Sequence, residues 1–326
     1  MRGVRVVTGC LFAQVCVGSE TVSPLASPSV QLYRASELMA SKRPHVAAGY
    51  GCKMGQENVT EYLDYGWELL DSIHYHDAVG LHANGTTGFF NGCDYPGGSQ
   101  FQGLKAVARA HGVKVWLSTA NADFGSFGPG SSSEIIRFFS DETVRWRAIH
   151  SSLDAVEMGG LDGLSVDFEG DWRFNSSVRE LHSMFFRDLA QAGQKRSPPI
   201  PIRYPIFWDI YKDSAVDMVA LTNVTEATVL MAYDYHWGGD GRAGPNAPLV
   251  GCYSDCSGEP AGANVMYSIA EARRLSQGRG SIHPDGGDPA PLLLGIPWYH
   301  LRVEHFSLSA DQFLLDFCAA FNAEQC

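Results

Sequence analysis

From about His45 the chain alternates short, continuously apolar runs with longer stretches of helical periodicity, and this rhythm restricts the fold more than any other feature. The apolar runs lie at 45–51, 72–79, 113–119, 161–168, 202–208, 228–234 and 292–297. Helical patterns fall between them, at 103–111, 141–158 and 177–192 among others. A strand apolar on both faces is covered on both faces, and strands alternating with helices pair in parallel, so the pattern predicts an α/β fold. In 177–192 the residues Leu181, Met184, Phe185, Phe186 and Leu189 recur at helical spacing, and Ser177 stands near the start as an expected cap. Stretches rich in Gly, Ser and Pro at 124–133, 237–248 and 278–291 adjoin strands without ending the rhythm, so they read as loops within one domain. A length of 326 residues suits a single (β/α)8 barrel of the TIM type.

The first residues read as a leader. Arg2 and Arg5 precede an uncharged apolar run, Val6 to Val17, with Gly18 and Ser19 after it. The run is too short to cross a bilayer, and no later segment is long and apolar enough, so no membrane span is expected. The alternative for this run is a buried N-terminal strand. Domain boundaries follow as a signal at 1–19, a linker containing Pro24 and Pro28 at 20–44, and a barrel at 45–326. Six of the eight cysteines lie beyond the leader, an even number that suggests disulfides, and Cys252 and Cys256 are near enough to close one loop. Asn58, Asn84, Asn175 and Asn223 each open an Asn-x-Ser/Thr sequon. These features together predict the secretory pathway, ending in the lysosome or outside the cell. A net charge of −12 argues against a nucleic-acid partner, which would need clustered Lys and Arg; a monomer is expected.

The chemistry concentrates in Asp162–Glu169. Leu164, Val166 and Phe168 alternate with Ser165, Asp167 and Glu169, so a strand puts the polar three on one face. Adjacent carboxylates at the C-terminal end of a barrel strand point into the mouth, where mutual repulsion keeps one protonated as an acid. Solvated acids on a half-exposed strand are the plain alternative.

The segment resembles the Asp-x-x-Asp-x-Asp-x-Glu signature of the family 18 glycoside hydrolases, the chitinase-like enzymes. Asp162, Asp167 and Glu169 match, while Ser165 stands where the family usually has Asp. Met231-Ala232-Tyr233-Asp234 resembles the family's Met-x-Tyr-Asp, and Gly295-Ile296-Pro297-Trp298-Tyr299 its Gly-x-Pro-Trp-Tyr. Ser165 and Asn246-Ala247-Pro248 are most similar to the di-N-acetylchitobiase branch. The resemblance implies a retaining glycosidase acting on N-acetylglucosamine oligosaccharides, with the sugar's own acetamido group as nucleophile. It implies Glu169 as acid and base, Asp167 and Tyr233 as its catalytic partners, and Asp234, Met231, Trp298 and Tyr299 as substrate contacts. Asp162 and Ser165 are implied to be structural, and neither metal nor other cofactor is required.

Two other readings compete. His74 and His76 share one strand face, with His82 and His236 elsewhere, as a metal-dependent barrel hydrolase would need. A non-catalytic glycan-binding lectin is the second; such relatives generally lose the acid that is present here as Glu169. The resemblance also implies an eighth strand, yet the 27 residues after Tyr299 (300–326) read as a helix bearing Phe313, Phe317 and Phe321, and His300 replaces the family's Gly. The expectation is therefore a barrel truncated before its eighth strand, with the first and seventh strands as open edges.

Overall fold

The structure, a computed structural model, describes residues 9–14, 46–51, 67, 70–89, 98–125, 127–236, 245–249, 264–277 and 292–297. The elements in order are β1 (Gly9–Gln14), β2 (Val46–Gly51), β3 (Ser72–Leu81), β4 (Thr87–Phe89), α1 (Ser99–Ala110), β5 (Lys114–Asn121), α2 (Ser131–Ser140), α3 (Glu142–Gly159), β6 (Gly163–Asp167), α4 (Arg179–Gln194), β7 (Ile202–Phe207), α5 (Met218–Thr222), β8 (Ala227–Met231), α6 (Val265–Gln277) and β9 (Leu292–Pro297). All seven expected strands form, and β2, β3, β5, β6, β7, β8 and β9 pair in parallel in that order. Their outward side chains pack under the helices: Ile202, Tyr204 and Ile206 of β7 are buried, as are Leu164 and Val166 of β6.

The ring closes in a way the sequence reading does not anticipate. The place between β9 and β2, expected to stay open, holds β1, which runs antiparallel to both. Leu11 registers with Ala48 on one side and with Ile296 on the other. Unpaired edge N–H and C=O groups are a liability, and an apolar segment able to extend removes two edges at once. β1 lies inside the run 6–17 read as a leader, on the residues for which an N-terminal strand was the alternative. The boundaries at 19 and 44 fall outside the described residues.

Three helices were not anticipated. α2 begins in Ser131-Ser132-Ser133, a composition that reads as loop, yet Ile135, Phe138 and Phe139 are buried at helical spacing. α5 has five residues, too few for a periodic signal, and α6 follows a Gly-rich stretch. The start of α4 corrects another expectation. Ser177 caps nothing: its N–H and hydroxyl both donate to the Asn175 side-chain carbonyl, at 3.1 and 2.8 Å, which closes a short turn ahead of the helix. The α3 start behaves as its sequence suggests, with Asp141 accepting from the Val144 N–H at 3.0 Å.

The N-terminal end of the barrel is plugged by an aromatic–cation cluster. The Arg203 guanidinium lies 3.8 Å from the Trp116 ring centre, and His74 stacks on Trp116 at 5.7 Å. Arg203 Nη1 donates to His74 Nε2 at 2.7 Å and to Ser72 Oγ at 3.1 Å, while Nε faces Glu226 at 3.3 Å. The indole fits because residue 163 is glycine; a Cβ there would lie 2.4 Å from the Trp116 ring.

Candidate active site

β6 carries the expected polar face. Ser165 registers with Ser118 of β5 and Arg203 of β7, and Asp167 with Ala120, so Ser165, Asp167 and Glu169 climb the inner wall toward the C-terminal mouth. Asp167 and Glu169 are partly exposed, whereas Ser165 is fully buried. Among the described residues the Ser165 hydroxyl has no hydrogen-bond partner. Asp162 sits at the opposite end of the strand. Its carboxylate accepts from the Val115 N–H at 2.7 Å, and its own N–H donates to the Val115 carbonyl at 2.8 Å, which pins β6 to β5.

The outward neighbour of the two acids is the anchor of the strand end. Phe168 is buried among Phe124, Phe138, Phe139, Phe185 and Phe186, with ring centres 5.4–6.5 Å away. Edge-to-face packing of this kind fixes orientation as well as burial. Beyond Glu169 the chain turns at Gly170, whose φ of +152° and approach to the Gly125 carbonyl exclude any side chain.

A buried charge cluster ties the loop after β6 to the loop after β7. Arg173 binds Asp209 in a fork, at 2.6 and 3.0 Å, and Asp213 at 2.5 Å. Its guanidinium also lies 4.2 Å from the Phe174 ring and 4.4 Å from that of Phe207. Burial alone would lower the Arg173 pKa, but the hydrogen bonds and charges of the two aspartates outweigh it and raise it. Burial pushes Asp213 up to about 7, and the like charge of Asp209 adds to the rise against the pull of Arg173. Burial likewise raises Tyr204 well above its ordinary value, helped by the negative charges of Asp213, Asp167 and Glu169. Its hydroxyl is 3.2 Å from His182 Nε2, and burial holds that imidazole neutral, with a pKa of about 3.

The end of β8 brings the second motif to the same mouth. Met231 is buried, while Tyr233 and Asp234 are partly exposed just past the strand. Asp234 has φ +59°, a left-handed conformation tolerated by few residues besides Gly, Asn and Asp. Asn246 Nδ2 holds its carboxylate at 2.7 Å, and the Asn246 carbonyl accepts from the Tyr235 N–H at 3.0 Å. Tyr235 stacks on Trp208 at 4.4 Å, and its hydroxyl is 2.6 Å from Ser268 Oγ. Trp298 and Tyr299 lie outside the described residues, as do Cys252 and Cys256.

The structure gives His74 a structural environment, buried on Trp116 and accepting from Arg203. His82 is at the mouth instead, 2.9 Å from Asp123. No group of three or more His, Cys, Asp or Glu among the described residues could hold a metal ion. Asn84 and Asn223 are exposed and Asn175 is partly so, all on connections between elements. Arg173, Asp209, Asp213 and Asn121 escape sequence reading, because each is recognisable only by a partner tens of residues away.

Comparison with known proteins follows the motifs. Residues 46–313 match the family model described as glycosyl hydrolases family 18. Among solved structures the chain is similar to a Group IV chitinase of Ostrinia furnacalis in complex with allosamidin, at 18% identity and a TM-score of 0.55, over 70% of this chain and 61% of that one. It is also similar to an immunomodulatory active chitinase from Trichuris suis, at 18% identity and a TM-score of 0.56, over 69% of this chain and 61% of that one. At such identity the likeness is one of fold. The chain spans about 61% of the length of these chitinases. Comparison with curated proteins gives no match.

Proposed function

The chain belongs to the family 18 glycosyl hydrolases, and from that premise we propose that it is a retaining glycosidase cleaving β-1,4-linked N-acetylglucosamine oligosaccharides with the help of the substrate's own acetamido group. The observation that carries the reading is the end of β6, where Asp167 and Glu169 follow one inward strand face into a mouth shared with Tyr233 and Asp234. Glu169 gives its proton to the glycosidic oxygen as the acetamido carbonyl oxygen bonds to the anomeric carbon and the leaving sugar departs. Asp167 holds the acetamido N–H and balances the positive charge of the oxazolinium. Tyr233 donates to the acetamido oxygen. Glu169, now a carboxylate, takes a proton from water as the water oxygen bonds to the anomeric carbon and the bond from that carbon to the acetamido oxygen breaks, which regenerates the acetamido group and restores the original configuration. Asp234, held by Asn246 at 2.7 Å, binds the neighbouring sugar. Met231 packs beneath, and Trp298 and Tyr299 complete the substrate contacts.

Ser165 and the Asn246-Ala247-Pro248 run support a di-N-acetylchitobiase-like preference for short oligosaccharides. The leader-like start, Arg2 and Arg5 before an apolar run, supports entry into the secretory pathway. The test is release of chromophore from a chitobioside by wild type and Glu169→Gln. Loss of roughly 10²–10⁴-fold in kcat, with sugar binding retained, is expected of a missing general acid. Equal rates in the two proteins would remove Glu169 from the mechanism; sugar binding by both without hydrolysis by either would make the protein a lectin.

A further inference from the structure

The backbone ladder between β5 and β6 ends at Ala120 and Asp167, two residues short of Glu169. Beyond it, the side chain of Asn121 takes over the work of a strand. Asn121 Oδ1 accepts from the Glu169 N–H at 2.9 Å, and Nδ2 donates to the Glu169 carbonyl at 2.9 Å and to the Phe124 carbonyl at 2.8 Å. A primary amide has two N–H donors and one carbonyl, so only one orientation of the side chain serves all three partners. The pair of bonds to Glu169 imitates the two a neighbouring strand residue would make. Gly170 follows at once, locked against the Gly125 carbonyl, and the Gly125 N–H donates to Glu134 Oε2 at 2.7 Å.

We infer that Asn121 is a positioning residue: its amide clamps the Glu169 backbone so that the carboxylate starts from a fixed Cα at the mouth. This rests on the reading of Glu169 as the general acid. The physical need is clear. A residue just past the end of a strand has lost its ladder, and an acid displaced by 1 Å can cost about 10²-fold in rate. Asp167 is still within the ladder and needs no such device. The clamp therefore serves the one carboxylate that must both give and take a proton.

The test pairs Asn121→Ala and Asn121→Asp with two readouts, chitobioside hydrolysis and amide hydrogen exchange at Glu169. For Asn121→Ala, kcat should fall roughly 10²-fold with KM within about twofold, and exchange at the Glu169 amide should quicken while exchange in α3 and α4 stays as in wild type. Asn121→Asp keeps the acceptor for the Glu169 N–H and loses both donors. It should protect that amide better than alanine does, recover part of kcat, and move the limb of the pH–rate profile that reports the acid. Unchanged exchange in both variants overturns the clamp. Faster exchange with kcat and the pH profile unmoved leaves Asn121 a purely structural residue and overturns its positioning role. Absence of hydrolysis by wild type would defeat the glycosidase reading instead, and the exchange comparison would still decide whether Asn121 holds Glu169.

Discussion

Replacing Asp213 by Asn probes the charge cluster behind the site, because two buried carboxylates there share one guanidinium. The Asp213 side chain is 2% exposed, so solvent screens it little. Its carboxyl, ordinarily at 3.8, is pushed to about 7 in the folded chain. Between those values the folded protein keeps a proton that the unfolded chain has lost. Stability from this group is thus fully present below about pH 4 and drains away as pH rises toward 7. At about 1.4 kcal/mol per pH unit, the interval is worth about 4 kcal/mol. Asparagine imitates the protonated carboxyl and can still accept from Arg173. The variant should match wild type near pH 4 and exceed it by about 2–4 kcal/mol near pH 8, as measured by urea unfolding followed through tryptophan fluorescence. Other acids titrate alike in both proteins and cancel in the difference. A difference that does not vary with pH, or a variant less stable at pH 8, would show that Arg173 keeps Asp213 ionised and would refute the reasoning.

Ser165→Asp restores the acid usual at that place of the family's signature. It sits two residues before Asp167 on the same strand face, in a fully buried position. A carboxyl there can share a proton with Asp167, so the pH–rate curve should shift and kcat change; superimposable curves would show that residue 165 does not couple to the site. Deleting residues 1–19 removes both the leader-like run and β1. Produced inside cells, where no leader is removed, the shortened protein should aggregate as β2 and β9 lose their partner. Soluble monomer from the shortened chain would overturn the need for the strand and favour removal of the run as a leader.

Much of this protein was legible in its amino acids alone. The seven parallel strands and the Ser165-Asp167-Glu169 face were readable because burial writes its period directly into a strand's own residues. Phe168 shows the same logic, as an apolar residue between two acids that must face away from the mouth. What the sequence could not disclose depends on closure of the ring. β1 lies between β9 and β2 only because two distant strands each lacked a partner, and nothing in Gly9–Gln14 names either of them. Asn121 reads as an ordinary residue after an apolar run until Glu169, 48 positions on, is brought beside it. Arg173 reads as a surface charge until Asp209 and Asp213, 36 and 40 positions away, surround it. Local periodicity determined the strands and which residues share a face. Which polar group meets which was decided by the barrel, since that choice depends on distances across the ring and leaves no period in the chain.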